Sequence, residues 1–419
     1  MDSREYPLTI VSATAPPSVE IRTALLPGES ALLRAAGLIE LAPTEAWTVH
    51  GTSRALAAGT HGIFRYFGKF PPPIARELLR AFSAPGAWVL DPMAGSGTTA
   101  VEALALGRHV VARDVSPLSL LLCRTKTTHV PLDRSRAALE RARARLVDLS
   151  PSDVAFPTGL KHPEHWFLPD TLASLGRLRR VIDAEAEPVL RELLLAAFVS
   201  SVRRVSRATT EQGRLFLDRE TARADALPTF LERFENYAAR VAALPCSRPC
   251  EVVVEEHDVK VAARSPRRFR LAIVHPPYFN NYKYSAINAL ELAWLGVPPK
   301  LVRSREIREA FKVGKVERAA EYVADLGAAL LAVERELDGE GTLCVMLGDT
   351  RIRNEYVAVT RRLLAALEAG GSRLRLERVI LRVPKYTEAS WVASQRRRKE
   401  QVGIALSDFI LVFGRGGSA

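Results

Sequence analysis

Short apolar runs alternate with longer helix-period stretches over two separate parts of the chain, and that alternation limits the fold more than any other feature. The runs expected as strands are Trp88–Asp91, His109–Asp114, Glu251–Glu256, Leu271–Val274, Thr342–Leu347, Leu376–Val383 and Asp408–Phe413. Helical spacing fills most of the gaps, at Pro72–Phe82, Thr98–Leu106, Leu118–Thr125, Arg318–Leu337 and Tyr356–Ala369. Strand alternating with helix implies parallel strands joined by crossovers, hence a layered α/β domain. No helix-period stretch lies between the last two runs, only Pro384–Ser407, so they are expected as an antiparallel pair at one edge.

The alternation stops between Asp114 and Glu251. A crossover needs a dozen or so residues and one helix. Here four helical patterns follow one another, at Asp133–Leu149, Pro169–Ala184, Pro188–Ser206 and Pro228–Leu244, with no convincing strand. The expected division is an N-terminal extension (1–60), a first core part (61–130), a helical insertion (131–249) and a second core part (250–419).

The run Trp88-Val-Leu-Asp-Pro-Met-Ala-Gly-Ser-Gly-Thr-Thr carries a buried strand into Asp91, then a turn with Gly95 and Gly97, then a helix opened by Thr98. Glycines permit positive φ and close approach of backbone N–H groups, and a helix start favours negative charge. The next strand ends at Asp114, about twenty residues beyond, the spacing at which a carboxylate takes ribose hydroxyls. A ribose-bearing cofactor follows. A second rigid loop, His275-Pro276-Pro277-Tyr278, also comes directly after an apolar strand.

Asp91-Pro-Met-Ala-Gly-Ser-Gly-Thr-Thr99 resembles the S-adenosylmethionine-binding motif of the amino-group DNA methyltransferases, which act on cytosine N4 or adenine N6. Tyr66-Phe-Gly-Lys-Phe-Pro-Pro-Pro73 resembles the Lys-Phe-rich segment that precedes that motif, and His275-Pro-Pro-Tyr-Phe-Asn-Asn-Tyr282 resembles their Asp/Asn/Ser-Pro-Pro-Tyr/Phe catalytic motif. The likeness covers about 60–125 and 250–415. It implies a Rossmann-like seven-stranded sheet with an antiparallel final hairpin, S-adenosyl-L-methionine as cofactor and no metal. Lys69 and Phe70 would pack around its methionine end, Asp91, Gly95, Gly97 and Thr98 would form its loop, Asp114 would hold the ribose, and Asp258 would touch the adenine. The His275 side chain and the Pro276 carbonyl would accept from the target amine, with Pro277 stiffening the loop and Tyr278 stacking on the base.

His275 departs from the family, which has Asp, Asn or Ser there. A neutral imidazole has one acceptor nitrogen and an imidazolium has none. With an ordinary pKa of ~6.5, methyl transfer would decline as pH falls through that value. The change otherwise marks a different substrate or a silent enzyme that still binds cofactor.

Composition agrees with a globular chain: 419 residues, 47% hydrophobic and 25% charged, with a net charge of +12. An excess of base suits a polyanionic partner. Thirteen Lys or Arg against five Glu lie between Arg351 and Glu400, most densely at Arg396-Arg397-Arg398-Lys399, near Lys385, Tyr386 and Trp391. Aromatics beside cations suit contact with bases and phosphates; a solvated face is the alternative. Arg203-Arg204 and Arg207 in the insertion either contact nucleic acid or complement a helix C-terminus. Cys246 and Cys250 lack a second ligand pair for zinc. With four cysteines and no apolar run of membrane length, the expectation is a cytoplasmic protein with no membrane partner. DNA is the expected nucleic-acid partner, with RNA, or a degenerate nucleic-acid-binding site, as alternatives. A partner restriction endonuclease or defence system and the oligomeric state stay open.

Overall fold

The computed structural model describes residues 16–211, 214–220, 224–245, 250–263, 266–279, 283–307, 316–352, 355–383 and 408–415. One sheet holds nine strands: β1 (Ser18–Arg22), β2 (Thr44–His50), β3 (Trp88–Asp91), β4 (His109–Asp114), β5 (Val252–Glu256), β6 (Phe269–Val274), β7 (Leu337–Gly348), β8 (Leu374–Val383) and β9 (Asp408–Arg415). Their spatial order is β1-β2-β8-β9-β7-β6-β3-β4-β5. Strands β5, β4, β3, β6 and β7 run parallel, while β9 is antiparallel to both β7 and β8. The seven strands from β3 onward are the expected ones, and their order reverses between β3 and β6. That is a Rossmann-like sheet with an antiparallel final hairpin.

Successive side chains on the central strands feed opposite cores, as the twofold period of a strand requires. Val89, Ile273 and Cys344 pack with Ile74, Leu78, Ala100 and Ala103 on one face. Leu90, Ala272 and Val345 pack with Tyr322, Leu326, Leu330 and Leu363 on the other. Helices Pro72–Phe82 and Thr98–Ala105 therefore cover one face, and Arg318–Glu334 and Val359–Ala369 the other. Burial on both sides explains why these strands read as unbroken apolar runs.

Two expectations need correction. The hairpin is not at an edge, because β8 pairs in parallel with β2, and β2 with β1. The N-terminal segment is thus part of the sheet. It gave no strand signal because the polar Glu45 and Thr48 interrupt the apolar run of β2, both buried, Glu45 held by Arg378 at 3.2 Å. The insertion also holds a short hairpin, Ala208–Glu211 with Arg214–Leu217.

The insertion helices Pro188–Val205 and Ala226–Ala242 form a core of Phe198, Phe230, Phe234 and Tyr237, which extends to Trp294. Arg203 is used internally. It donates to Glu291 at 2.8 and 2.9 Å and to Thr210 Oγ1 at 2.6 Å. Arg207 donates to the Glu164 carbonyl at 2.6 Å. These guanidiniums tie the insertion together and, through Glu291, to the second core part, which neither sequence expectation described. Among the described residues no helix is long and apolar enough to cross a membrane.

Candidate active site

In an open α/β sheet, ligands sit beyond the carboxyl ends of the strands, where the strand order reverses. Register puts those ends level here: Leu90 pairs with Ala272, Asp91 with Ala112 and Asp114 with Glu256. The segments leaving β3, β4, β5 and β6 consequently meet around one crevice of about 850 Å³, partly open to solvent. Its wall includes Lys69, Phe70, Asp91, Gly95, Thr98, Asp114, His275 and Pro277. Eight of the twelve residues expected at the site therefore face one space.

The glycine loop is held from several sides. Asp114 Oδ2 accepts from the Gly95 N–H and Oδ1 from the Ser116 N–H, both at 2.8 Å. The Ser119 hydroxyl and the Val115 N–H also act on this carboxylate, which lies on the crevice wall. Gly95 has φ of +50°, and a Cβ there would meet the Tyr66 ring at 3.5 Å. From below, the buried Lys126 amine donates to the Ser96 carbonyl at 2.8 Å. Burial, then the Lys69 charge, pushes the Lys126 pKa well below its usual value. Lys126 was not anticipated, because nothing local marks a lysine in an apolar helix as a loop anchor. Lys69 itself donates to the His61 carbonyl at 2.9 Å.

Gly97 does not line the crevice. At φ of +79° it opens the Thr98–Ala105 helix, and a Cβ there would meet Cys123 Sγ at 3.0 Å and Cys123 Cα at 3.2 Å. Its work is close packing under the loop. Gly97→Ala is expected to destabilise the protein by about 1–3 kcal/mol through strain and overpacking, read by denaturant unfolding. An unchanged midpoint would show that the helix shifts freely.

The acidic groups respond to burial. Asp91 accepts from the Met93 N–H at 3.2 Å and has its pKa raised to about 7, chiefly by desolvation. Between its unfolded value of ~3.9 and about 7 the folded protein holds the extra proton, so fold stability from this group falls as pH rises. A cationic ligand favours the ionised form. Binding should therefore release a proton, and affinity for S-adenosylmethionine should rise up to about pH 7 and then level. Titration calorimetry in buffers of different ionisation enthalpy reads this directly; binding without proton release below pH 7 would contradict it.

The second loop is rigidly placed. The Tyr322 hydroxyl donates to the Pro277 carbonyl at 2.8 Å. His275 lies with its ring 5.2 Å from Phe70 and edge-on to Tyr278 at 5.3 Å. Burial, helped by the Arg382 charge, lowers the His275 pKa to about 3. The imidazole is then neutral throughout the neutral range, so its protonation is expected to cost no activity near pH 6.5.

Three other expected residues stand elsewhere. Pro276 is buried and does not line the crevice. Tyr278 packs against the core, with its hydroxyl near Asp408 and Arg382, rather than facing the crevice. Asp258 turns away into a local turn, accepting from the Lys260 N–H at 3.0 Å, while its neighbours His257 and Val259 line the wall. Asn280, Asn281, Tyr282, Cys246, and the basic Lys385, Tyr386, Trp391 and Arg396–Lys399 lie outside the described residues.

The crevice suits an S-adenosylmethionine-sized ligand. Asp114 lies on its wall beside the glycine loop, together with Asp91 and His275. The chain is 24% identical over 260 residues to Type II methyltransferase M.MvaI of Kocuria varians, covering 56% of this chain and 57% of that protein. It is 25% identical over 283 residues to Type II methyltransferase M.BsoBI of Geobacillus stearothermophilus, covering 60% and 55%. The chain thus spans a little over half the length of these curated relatives. Among solved structures, TrmN from Thermus thermophilus aligns at 13% identity with a TM-score of 0.34, over 83% of this chain and 50% of that one. The rRNA methyltransferase aviRa from Streptomyces viridochromogenes aligns at 12% identity with a TM-score of 0.30, over 72% and 85%. Residues 40–118, which hold the glycine loop and Asp114, match the family described as DNA methylase.

Proposed function

We propose that the chain transfers the methyl group of S-adenosylmethionine to an exocyclic amine of a nucleic-acid base, DNA before RNA and cytosine N4 before adenine N6. The carrying observation is that Gly95 and His275, from the two motif loops, line one crevice at the point where the strand order reverses. The names of the curated relatives, both Type II methyltransferases, and the DNA-methylase match of 40–118 support the choice of DNA.

The bound cofactor supplies an electrophilic methyl on a sulfonium. The chain's own residues hold the nucleoside at Asp114, fix the loop through Lys126, and present acceptors to the incoming amine. That amine is a weak nucleophile because its lone pair is delocalised into the ring. An acceptor aimed at its N–H draws the nitrogen toward tetrahedral geometry and favours the charge that develops there. The neutral His275 imidazole, which lines the crevice, takes this role. A base within a duplex must leave the stack to reach the crevice.

The test is incubation with isotopically labelled cofactor and either duplex DNA or structured RNA, followed by digestion to nucleosides and mass measurement. Labelled N4-methylcytosine or N6-methyladenine in DNA is the expected product. Label in RNA alone would move the substrate to RNA. No label in either, with cofactor bound, would leave a nucleic-acid-binding protein with a silent site.

A further inference from the structure

One wall of the crevice comes from neither motif. It is built by Tyr284, Arg305, Glu306 and Ile307, in the chain between β6 and β7. The Glu306 carboxylate is the distinctive group there. Ser285 clamps it twice, donating from its N–H to Oε1 at 3.0 Å and from its hydroxyl to Oε2 at 2.9 Å. One residue thus fixes both oxygens and leaves each with an acceptor lone pair. Burial raises the Glu306 pKa, and the Asp114 charge adds to that, so the two carboxylates lie within electrostatic reach of one another. The Tyr66 ring, stacked on Tyr284 at 5.7 Å, senses both charges. Holding two acidic groups near each other in a desolvated space is costly unless a ligand uses them. Among the described residues Ser285 holds the Glu306 carboxylate and Lys260 Nζ its backbone carbonyl at 3.2 Å, while the Arg303 charge offsets part of the effect of burial.

We propose that Glu306 is a second nucleoside-binding carboxylate, accepting a hydrogen bond from one hydroxyl of the cofactor's ribose while Asp114 accepts from the other. A vicinal diol offers two donors, and Asp114 already spends one lone pair of each oxygen on Gly95 and Ser116. Two fixed carboxylates match two hydroxyls better than one crowded one. The inference rests on the cofactor assigned under the proposed function, and its test separates the two.

Calorimetry of the full chain would compare S-adenosylhomocysteine with its 2′-deoxy and 3′-deoxy analogues, for the wild type and Glu306→Gln. In the wild type each missing hydroxyl should weaken binding about tenfold or more, as loss of a hydrogen bond to a charged group does. In Glu306→Gln the penalty for one of the two analogues should shrink to about twofold while the other persists, because the partner of that hydroxyl is no longer charged. Unchanged penalties for both analogues, or an equal loss for all three ligands, would overturn the role of Glu306. A wild type that binds none of them would overturn the cofactor assignment itself. Thermal unfolding checks that the variant folds; should it not, Glu306→Asp, which keeps the charge and shortens its reach, is read in the same way.

Discussion

Asp114→Ala is expected to weaken binding of S-adenosylmethionine and S-adenosylhomocysteine by about two to three orders of magnitude. Hydrogen bonds to a charged acceptor contribute roughly 1.5–3 kcal/mol each; the bond to one ribose hydroxyl goes with the carboxylate, and the loosened glycine loop adds to the loss. Alanine also frees the Gly95 and Ser116 N–H groups that the carboxylate now satisfies. The glycine loop would then lose its link to the end of β4. Asp114→Asn keeps an acceptor and should fall between the two. Calorimetry with either ligand measures the effect, and thermal unfolding separates it from loss of fold. Binding within threefold of the wild type for a folded Asp114→Ala would remove Asp114 from the site and leave the ribose to Glu306 alone.

What could be read from the sequence follows the range of the interaction concerned. Asp91, Gly95, Asp114 and His275 announced themselves because strand, turn and helix start are written within a dozen residues. Their meeting in one crevice needed only the strand order. The signals that failed are long-range. Glu306 stands thirty-one residues beyond His275, after three short helices, and only the fold brings it to the same crevice as Asp114. Lys126 reads as the last turn of an ordinary helix, yet its amine reaches Ser96. Strands β1 and β2 exist because β8 needs a neighbour, a demand that their own residues do not express. Asp258 and Tyr278 were placed by motif position, while their side chains answer to a turn and to the core. Arg203 looked like a surface cation until Glu291 arrived from eighty-eight residues away.

Burial also sets the chemistry of His275, and that leads to the second large effect. A solvated imidazole would be half protonated near pH 6.5 and would lose its acceptor there. Held among Phe70, Tyr278 and the sheet, with Arg382 nearby, this one has its pKa lowered to about 3. With saturating cofactor, His275 should therefore contribute no inflection to single-turnover methyl transfer between pH 5.5 and 8. The linked stability has the opposite sign to that of Asp91: the fold is stabilised by the neutral ring above the unfolded pKa of ~6.5. That contribution is lost as pH falls toward about 3. His275→Phe keeps an aromatic ring against Phe70 and Tyr278 and removes the acceptor nitrogen. Removing one preorganised group that stabilises developing charge typically costs about 10²–10³ in rate. The same loss is expected here, with the affinity for S-adenosylhomocysteine unchanged. His275→Asn restores an acceptor of the kind the methyltransferase motif carries at this position and should recover part of the rate. If the phenylalanine variant turned over within threefold of the wild type, His275 would be a packed ring only. The amine would then have to be held by backbone carbonyls of the Pro276–Pro277 turn, whose position Tyr322 already fixes from behind.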